Sequence, residues 1–125
     1  MEMTLEEFDR QFKYILENAL KAIKKNLNIE LKAEDMESSY SPLLLNKYNI
    51  KSPRFRFTVI FPDGLKRSVG VTFNKGGYVD IPEGMCNMVG LNIWDDHLRS
   101  LSKPQQNIVR MSAWLYHLCK DKGYA

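Results

Sequence analysis

The sequence predicts an α+β fold in which a three-stranded antiparallel β-meander packs against an N-terminal and a C-terminal helix. Apolar residues recur at helical spacing near both ends of the chain, and two alternating runs flank a Pro-Asp-Gly turn between them. With 125 residues, 44% of them hydrophobic and 26% charged, the chain has the size and composition of one globular domain. We therefore expect a single α+β domain over residues 1–125.

The first helix is predicted from a cap and an apolar stripe. Thr4 and Glu7 form a capping box, and acidic residues at the start with lysines at the end suit the helix dipole. The stripe has three- and four-residue spacing and consists of Leu5, Phe8, Phe12, Ile15, Leu16, Ala19, Leu20, Ile23 and Leu27. This helix is expected to bury that stripe.

Residues 28–53 are less regular. The alternation over residues 28–33 predicts a short strand. Ser41 and Pro42 predict the cap of a single helical turn that carries the leucines at 43–45. We expect this segment to close one side of the core.

A β-hairpin is predicted over residues 54–73. A three-residue loop of Pro-Asp-Gly pairs Phe57 with Val69 and places Arg54, Arg56 and Lys66 on the outer face. Arg67 then falls on the apolar face beside Val59, so either a bulge redirects it or the register differs. A second turn at residues 74–77 and a third strand at 78–81 complete the predicted meander.

The chain from residue 82 to 101 is predicted as irregular structure with a short helix at 94–101. The last helix is predicted to begin after Ser102, because Ser102 and Gln105 form a capping box and Pro104 falls in the first turn. Gly123 is predicted to end it.

The hairpin region concentrates positive charge. Residues 51–79 contain six Lys or Arg and one Asp, a net charge of +5, whereas the whole chain has +3. Such a patch either keeps a solvated sheet face soluble and discourages edge-to-edge pairing, or attracts an anionic partner, which would be an acidic protein surface or nucleic-acid phosphates. The phenylalanines share the parity of the buried valines, which argues against a platform for base stacking. The predicted contact residues are Lys51, Arg54, Arg56, Lys66 and Lys75.

The last helix has an unusually wide apolar surface, roughly 220° of arc at 100° per residue. A helix that lies on one side of a domain needs little more than 100°. The extra surface is either covered within the monomer or presents Trp114 and Tyr116 to a partner or to a second copy of the chain. Both interpretations are open from the sequence.

No pattern of catalytic or metal-ligating residues is recognisable, so no cofactor, metal or catalytic residue is predicted. The run Trp94-Asp95-Asp96-His97 places adjacent side chains about 100° apart on a helix, which prevents their convergence on one ion. A minor enzymatic or metal site around Asp95, Asp96 and His97 is the third hypothesis. Cys86 and Cys119 form no Cys-x-x-Cys pair and are expected to be reduced thiols of a cytoplasmic protein without a membrane span.

These observations predict a small non-enzymatic protein that binds a protein partner stoichiometrically, as a modulator or inhibitor of a larger complex. The basic sheet face and the apolar edge of the last helix would contact an acidic protein surface. The alternative is a nucleic-acid-binding module that contacts phosphates with the basic hairpin.

Overall fold

The computed structural model of this chain describes residues 5–45, 51–73, 77–80 and 99–124, with the backbone alone for residues 5, 39–45 and 51–53. The described elements are helix α1 (Leu5–Leu27), strands β1 (Lys32–Leu45), β2 (Lys51–Ile60) and β3 (Lys66–Thr72), and helix α2 (Lys103–Asp121). The described strands form one antiparallel sheet in the order β1-β2-β3. This arrangement confirms the predicted α+β fold class.

Helix α1 packs against β1, β2 and α2 and buries the predicted apolar stripe from Phe8 to Ile23, in which Leu20 is partly buried, as is Leu27 at its end. The side chain of Leu5 is not described. It ends at Asn28, whose φ of 56° is left-handed and whose N–H donates to the Lys24 carbonyl at 2.9 Å. Asn is the non-glycine residue that best tolerates this conformation at a helix end. The predicted strand over residues 28–33 is therefore wrong for residues 28–31, which leave the helix before β1 begins at Lys32. Thr4, the predicted cap of this helix, lies outside the described residues.

Strand β1 corrects two predictions. Residues 41–45, predicted as a helical turn, form the end of β1, which pairs with β2 at Tyr40 and again at Leu45 across an irregularity in register. The predicted third strand at 78–81 makes one isolated bridge in its described part, between Phe73 and Val79. The third strand of the meander is thus β1, which precedes the hairpin, and Ile81 lies outside the described residues.

The hairpin has the register that a three-residue loop imposes. Phe61 N–H donates to the Leu65 carbonyl at 2.8 Å, and Gly64 takes the left-handed φ of 88° that the turn requires. Phe57 is opposite Val69, and Arg56 is opposite Gly70. The prediction of this register is confirmed.

Arg67 lies opposite Val59, in the position that the simple register predicts, and no bulge interrupts β2 and β3. Its guanidinium is exposed at the end of the sheet and contacts the Asp121 carboxylate at 3.3 Å. Strand β3 is an edge of the sheet among the described strands, and the Arg67 side chain on its apolar face is 42% exposed.

An aromatic cluster fills the core between α1 and the inner face of the sheet. Phe12 and Phe55 are fully buried, and their rings stack with centroids 4.1 Å apart. Phe8 meets Phe73 edge-on at 5.0 Å. Stacked and edge-on rings add about 0.5–1.5 kcal/mol per pair to the burial of apolar area.

Helix α2 has the predicted ends. The Ser102 hydroxyl accepts from the Gln105 N–H at 3.4 Å, and Pro104 lies in the first turn. Gly123, with φ of 85°, follows the helix and lets the Tyr124 N–H donate to the Cys119 carbonyl at 2.9 Å. The short helix predicted at 94–101 falls largely outside the described residues, of which 99 and 100 are helical.

In the part of the chain that the structure describes, neither α1 nor α2 has an apolar stretch that could cross a membrane.

Candidate binding surface on the outer face of the sheet

The outer face of the sheet carries the predicted basic residues. Phe55, Phe57 and Val59 point into the core and are at most 1% exposed, so the alternate residues of β2 point outward. Arg56 is exposed and Arg54 half-buried on that outer side. We call this surface, formed by the outward residues of β1, β2 and β3, the outer face.

Strand β1 brings acidic residues onto the outer face. Glu34 is opposite Thr58 and Glu37 is opposite Arg56, so β1 has two residues where β2 has only Phe57. This bulge, with Asp35 at a φ of 54°, returns Glu37 to the side that Glu34 occupies. The alternation that predicted a strand over residues 28–33 stops short of Glu34, and only the bulge places Glu37 on this face.

An ion pair crosses the outer face from one edge strand to the other. Lys66 Nζ on β3 lies 2.8 Å from Glu34 Oε1 on β1, above the central strand β2. The hydrogen bond to the Glu34 carboxylate raises the pKa of Lys66. Both side chains are well exposed, so water screens the pair and it contributes little to the stability of the fold. It does neutralise one of the predicted contact residues.

Arg54 lies across Gly70. A Cβ atom added to Gly70 would lie 2.9 Å from one terminal nitrogen of the Arg54 guanidinium and 3.2 Å from Nε. The absent side chain therefore leaves the space in which this guanidinium rests against β3. Because Arg56 is directly opposite Gly70, both arginines of β2 adjoin the same gap in β3.

The charge of the outer face is mixed. Its described side chains include the cations Lys32, Arg54, Arg56 and Lys66 and the carboxylates Glu34 and Glu37. Four cations and two carboxylates give a net charge of +2, smaller than the charge of the hairpin region alone. Within the described part of the chain, no ion pair holds Arg54 or Arg56.

Trp114 and Tyr116 are half-buried and pack against the core. The Trp114 ring stacks on His117 with centroids 5.8 Å apart and an angle of 9° between the planes. Every residue from 106 to 119 is buried or half-buried. The wide apolar surface of α2 is thus largely covered.

The remaining predicted residues lie in β2, in the core or outside the described part of the chain. Lys51 begins β2 and its backbone is opposite Leu45, but its side chain is not described. Lys75, Cys86, Asp95, Asp96 and His97 lie outside the described residues. Cys119 is a free thiol in the core, and burial raises its pKa. Among the described residues, no group of three or more His, Cys, Asp or Glu could hold a metal ion.

Comparison with protein-family models, with curated proteins and with solved structures found no match for this chain.

Proposed function

We propose that this chain is a non-catalytic protein that binds a protein partner stoichiometrically through the outer face of its sheet. The observation that carries the proposal is the pair of the half-buried Arg54 and the exposed Arg56, which lies beside Gly70 on the side of the sheet opposite to α1. A partner with an acidic surface would pair with these guanidinium groups. As a stoichiometric binder, the chain would modulate or inhibit a larger complex.

The mixed charge of the outer face favours a protein over a nucleic acid. A nucleic-acid backbone presents phosphates of one sign, and each carboxylate on the binding surface opposes it. Glu37 is directly opposite Arg56, and Glu34 already holds Lys66 at 2.8 Å. Complementary charges of both signs are instead typical of protein interfaces, where they determine register and partner choice.

In this proposal the sheet makes most of the contact with the partner, and α2 makes only a small part of it. Trp114 and Tyr116 expose only part of their rings, because both pack against the core. They would extend the contact at its margin. Trp and Tyr contribute most to binding when they enter a pocket of the partner.

Affinity capture tests the proposal. The double variant Arg54→Glu, Arg56→Glu should lose the proteins that the unchanged chain enriches from the lysate of its source, because its central charges would repel an acidic partner. The matched control is Arg10→Glu, Lys25→Glu, which makes the same change in net charge on exposed positions of α1. Quantitative mass spectrometry compares the three captures.

Equal loss of captured proteins with the control variant, or no loss with the outer-face variant, would contradict the proposal. Thermal unfolding of both variants shows whether each remains folded, so that loss of fold is not counted as loss of binding.

The second candidate function is binding of nucleic-acid phosphates, favoured by the absence of an ion pair to Arg54 or Arg56 among the described residues. Titration with single- and double-stranded DNA and RNA between about 50 and 200 mM salt tests it. Two phosphate contacts on a duplex would give a slope of about −2 in log K against log salt. That slope, lost in the Arg54→Glu, Arg56→Glu variant, would favour nucleic acid over a protein partner.

A further inference from the structure

We propose that the edge of β3, which no described strand covers, pairs with an extended acidic segment of the partner that adds to the sheet as an antiparallel strand. This inference rests on the proposed function and specifies how the partner binds. It is carried by three features of the described residues: the direction of the backbone groups of β3, the chain that already pairs with one end of this strand, and the arginines that reach its edge at Gly70.

The backbone groups of Gly70 and Ser68 face away from β2. The Thr72 carbonyl accepts a hydrogen bond from the Asp80 N–H at 2.9 Å, so the backbone of Thr72 is directed outward from the sheet. In an antiparallel sheet this direction alternates, and every second residue therefore shares it. Within the described residues, no other chain pairs with β3 at Gly70 or Ser68. Among the described residues, none takes up the N–H and C=O groups of Ser68 and Gly70 that a further strand would use.

One end of this edge already accepts an antiparallel chain. Val79 is opposite Phe73, and α2 holds Val79 in place. The Asn107 side chain accepts from the Val79 N–H at 2.8 Å, and Arg110 donates to the Val79 carbonyl at 3.0 Å. Among the described residues, this contact reaches as far as Thr72. No described chain lies beside residues 66–70, a stretch long enough for a short strand of about five residues.

The charge around this edge selects an acidic segment. Gly70 has no side chain, and the Arg54 guanidinium occupies the space above it, with Arg56 directly opposite. A carboxylate opposite Gly70 on the added strand would meet these guanidinium groups. The opposite edge of the sheet is formed by β1, whose Glu34, Asp35 and Glu37 would repel the same segment. The bulge at Asp35 also disturbs that edge for pairing.

A synthetic peptide tests the pairing directly. The probe is a seven-residue peptide with glutamate at alternate positions and valine between them, blocked at both ends. The control peptide has lysine in place of glutamate. Amide hydrogen exchange, followed by NMR, should slow by at least about ten-fold at Ser68 and Gly70 when the acidic peptide saturates the protein. The lysine peptide should leave these amides unchanged.

Two variants separate the backbone contribution from the charge. Ser68→Pro removes an outward N–H and leaves the hydrogen bonds between β2 and β3 in place, so the acidic peptide should bind at least about ten-fold more weakly. Ser68→Thr, which keeps the N–H, is the matched control. Arg54→Gln keeps the whole backbone of β3 and should weaken the acidic peptide several-fold while making its binding less sensitive to salt.

Several outcomes would overturn the pairing. Slow exchange of the Ser68 and Gly70 amides in the free protein would mean that another part of the chain, or a second copy, already covers the edge, and light scattering identifies the second copy. Unchanged peptide affinity in Ser68→Pro, in a variant that remains folded, would also exclude it.

The same two variants distinguish binding through the outer face from pairing at the edge of β3. If the partner is lost from Arg54→Glu, Arg56→Glu but retained by Ser68→Pro, the outer face binds it without strand pairing. If Ser68→Pro loses the partner and the arginine variant retains it, the edge is the site and the outer face is not.

Discussion

At the scale of single residues, the Asn107 side chain of α2 forms hydrogen bonds with two backbone groups of residues 77–80. This side chain is 3% exposed, accepts from the Val79 N–H at 2.8 Å and donates to the Gly77 carbonyl at 3.1 Å. An amide can satisfy both groups because it carries a donor and an acceptor. It therefore binds the chain at residues 77–80 to the helix much as a neighbouring strand would.

Asn107→Leu should destabilise the protein by about 2–4 kcal/mol, because leucine has a similar shape but leaves a buried N–H and a carbonyl without partners. Urea denaturation measures the change in the free energy of unfolding. The control Asn18→Ala removes an exposed bond to the Tyr14 carbonyl and should change stability by no more than about 0.5 kcal/mol. Equal effects of the two substitutions would contradict this role of Asn107.

Asp63 and Tyr124 join the hairpin turn to the chain that follows α2. The Leu65 N–H and the Tyr124 hydroxyl both donate to the Asp63 carboxylate and lower its pKa. The Tyr124 ring stacks on Phe61, with centroids 5.7 Å apart. Partial burial and the Asp63 carboxylate together raise the pKa of Tyr124.

The sign of the pH dependence follows from the direction of each pKa shift. Because the pKa of Asp63 is lower in the folded state, its carboxylate stabilises the fold above the ordinary value of about 3.9, and this contribution disappears as the pH falls through the folded pKa. The difference in melting temperature between the unchanged protein and Asp63→Asn should shrink as the pH falls from about 6 to 2. Circular dichroism measures it, and a constant difference would contradict the prediction.

Tyr124 makes the stability of the fold depend on pH in the alkaline range. A raised pKa means that the neutral phenol stabilises the fold, and that this contribution is lost as the pH rises through the folded pKa above about 10. Tyr124→Phe keeps the ring and removes the hydroxyl, so it should remove this alkaline loss and also reduce the acid-dependent contribution of Asp63.

At the scale of elements, the end of α1 and the bulge of β1 each use a non-glycine residue in the left-handed region. Asn28 has φ of 56° and Asp35 has φ of 54°. Side chains other than glycine are strained there, although Asn and Asp tolerate it best. The two residues determine where the helix stops and which side of the sheet receives Glu37.

Asn28→Gly should stabilise the protein by up to about 1 kcal/mol, because glycine adopts the left-handed conformation without steric cost. The control Asn26→Gly lies inside α1, where glycine should instead destabilise by up to about 1 kcal/mol. Thermal unfolding measures both changes. Destabilisation by Asn28→Gly would mean that the asparagine side chain has a further role at this position.

At the scale of the whole molecule, α2 buries more of its surface than one narrow stripe. Met111, Leu115 and Leu118 are fully buried, and Ile108, Trp114 and Tyr116 are partly buried against the same core. A wide apolar arc is what such burial requires. The interpretation in which Trp114 and Tyr116 present a surface to a second copy stays a prediction, limited to the exposed part of their rings.

Trp114→Ala should lower stability by about 1–3 kcal/mol and leave the molecular mass in solution unchanged, because the indole packs on the core. The control Tyr14→Ala removes a ring that is 55% exposed on α1 and should cost no more than about 0.5 kcal/mol. Light scattering and urea denaturation test both variants. A change in mass without a change in stability would instead assign α2 to an interface between copies.

The parts of the fold that local patterns specify were predictable. The stripe of α1, the capping of α2 by Ser102 and the pairing of Phe57 with Val69 depend on residues close together in the chain. Strand β1 was not predictable in the same way, because its polar residues and Pro42 resemble a loop until β2 supplies the hydrogen bonds.

The fold class, the two long helices, the hairpin register and the outward direction of Arg54, Arg56 and Lys66 follow from local patterns in the chain. What surrounds these cations follows from strand pairing: Glu34 on Lys66, Glu37 opposite Arg56, and the gap at Gly70 that Arg54 fills. Periodicity and turn chemistry act over a few residues, whereas the electrostatic environment of a side chain depends on whichever strand pairs beside it.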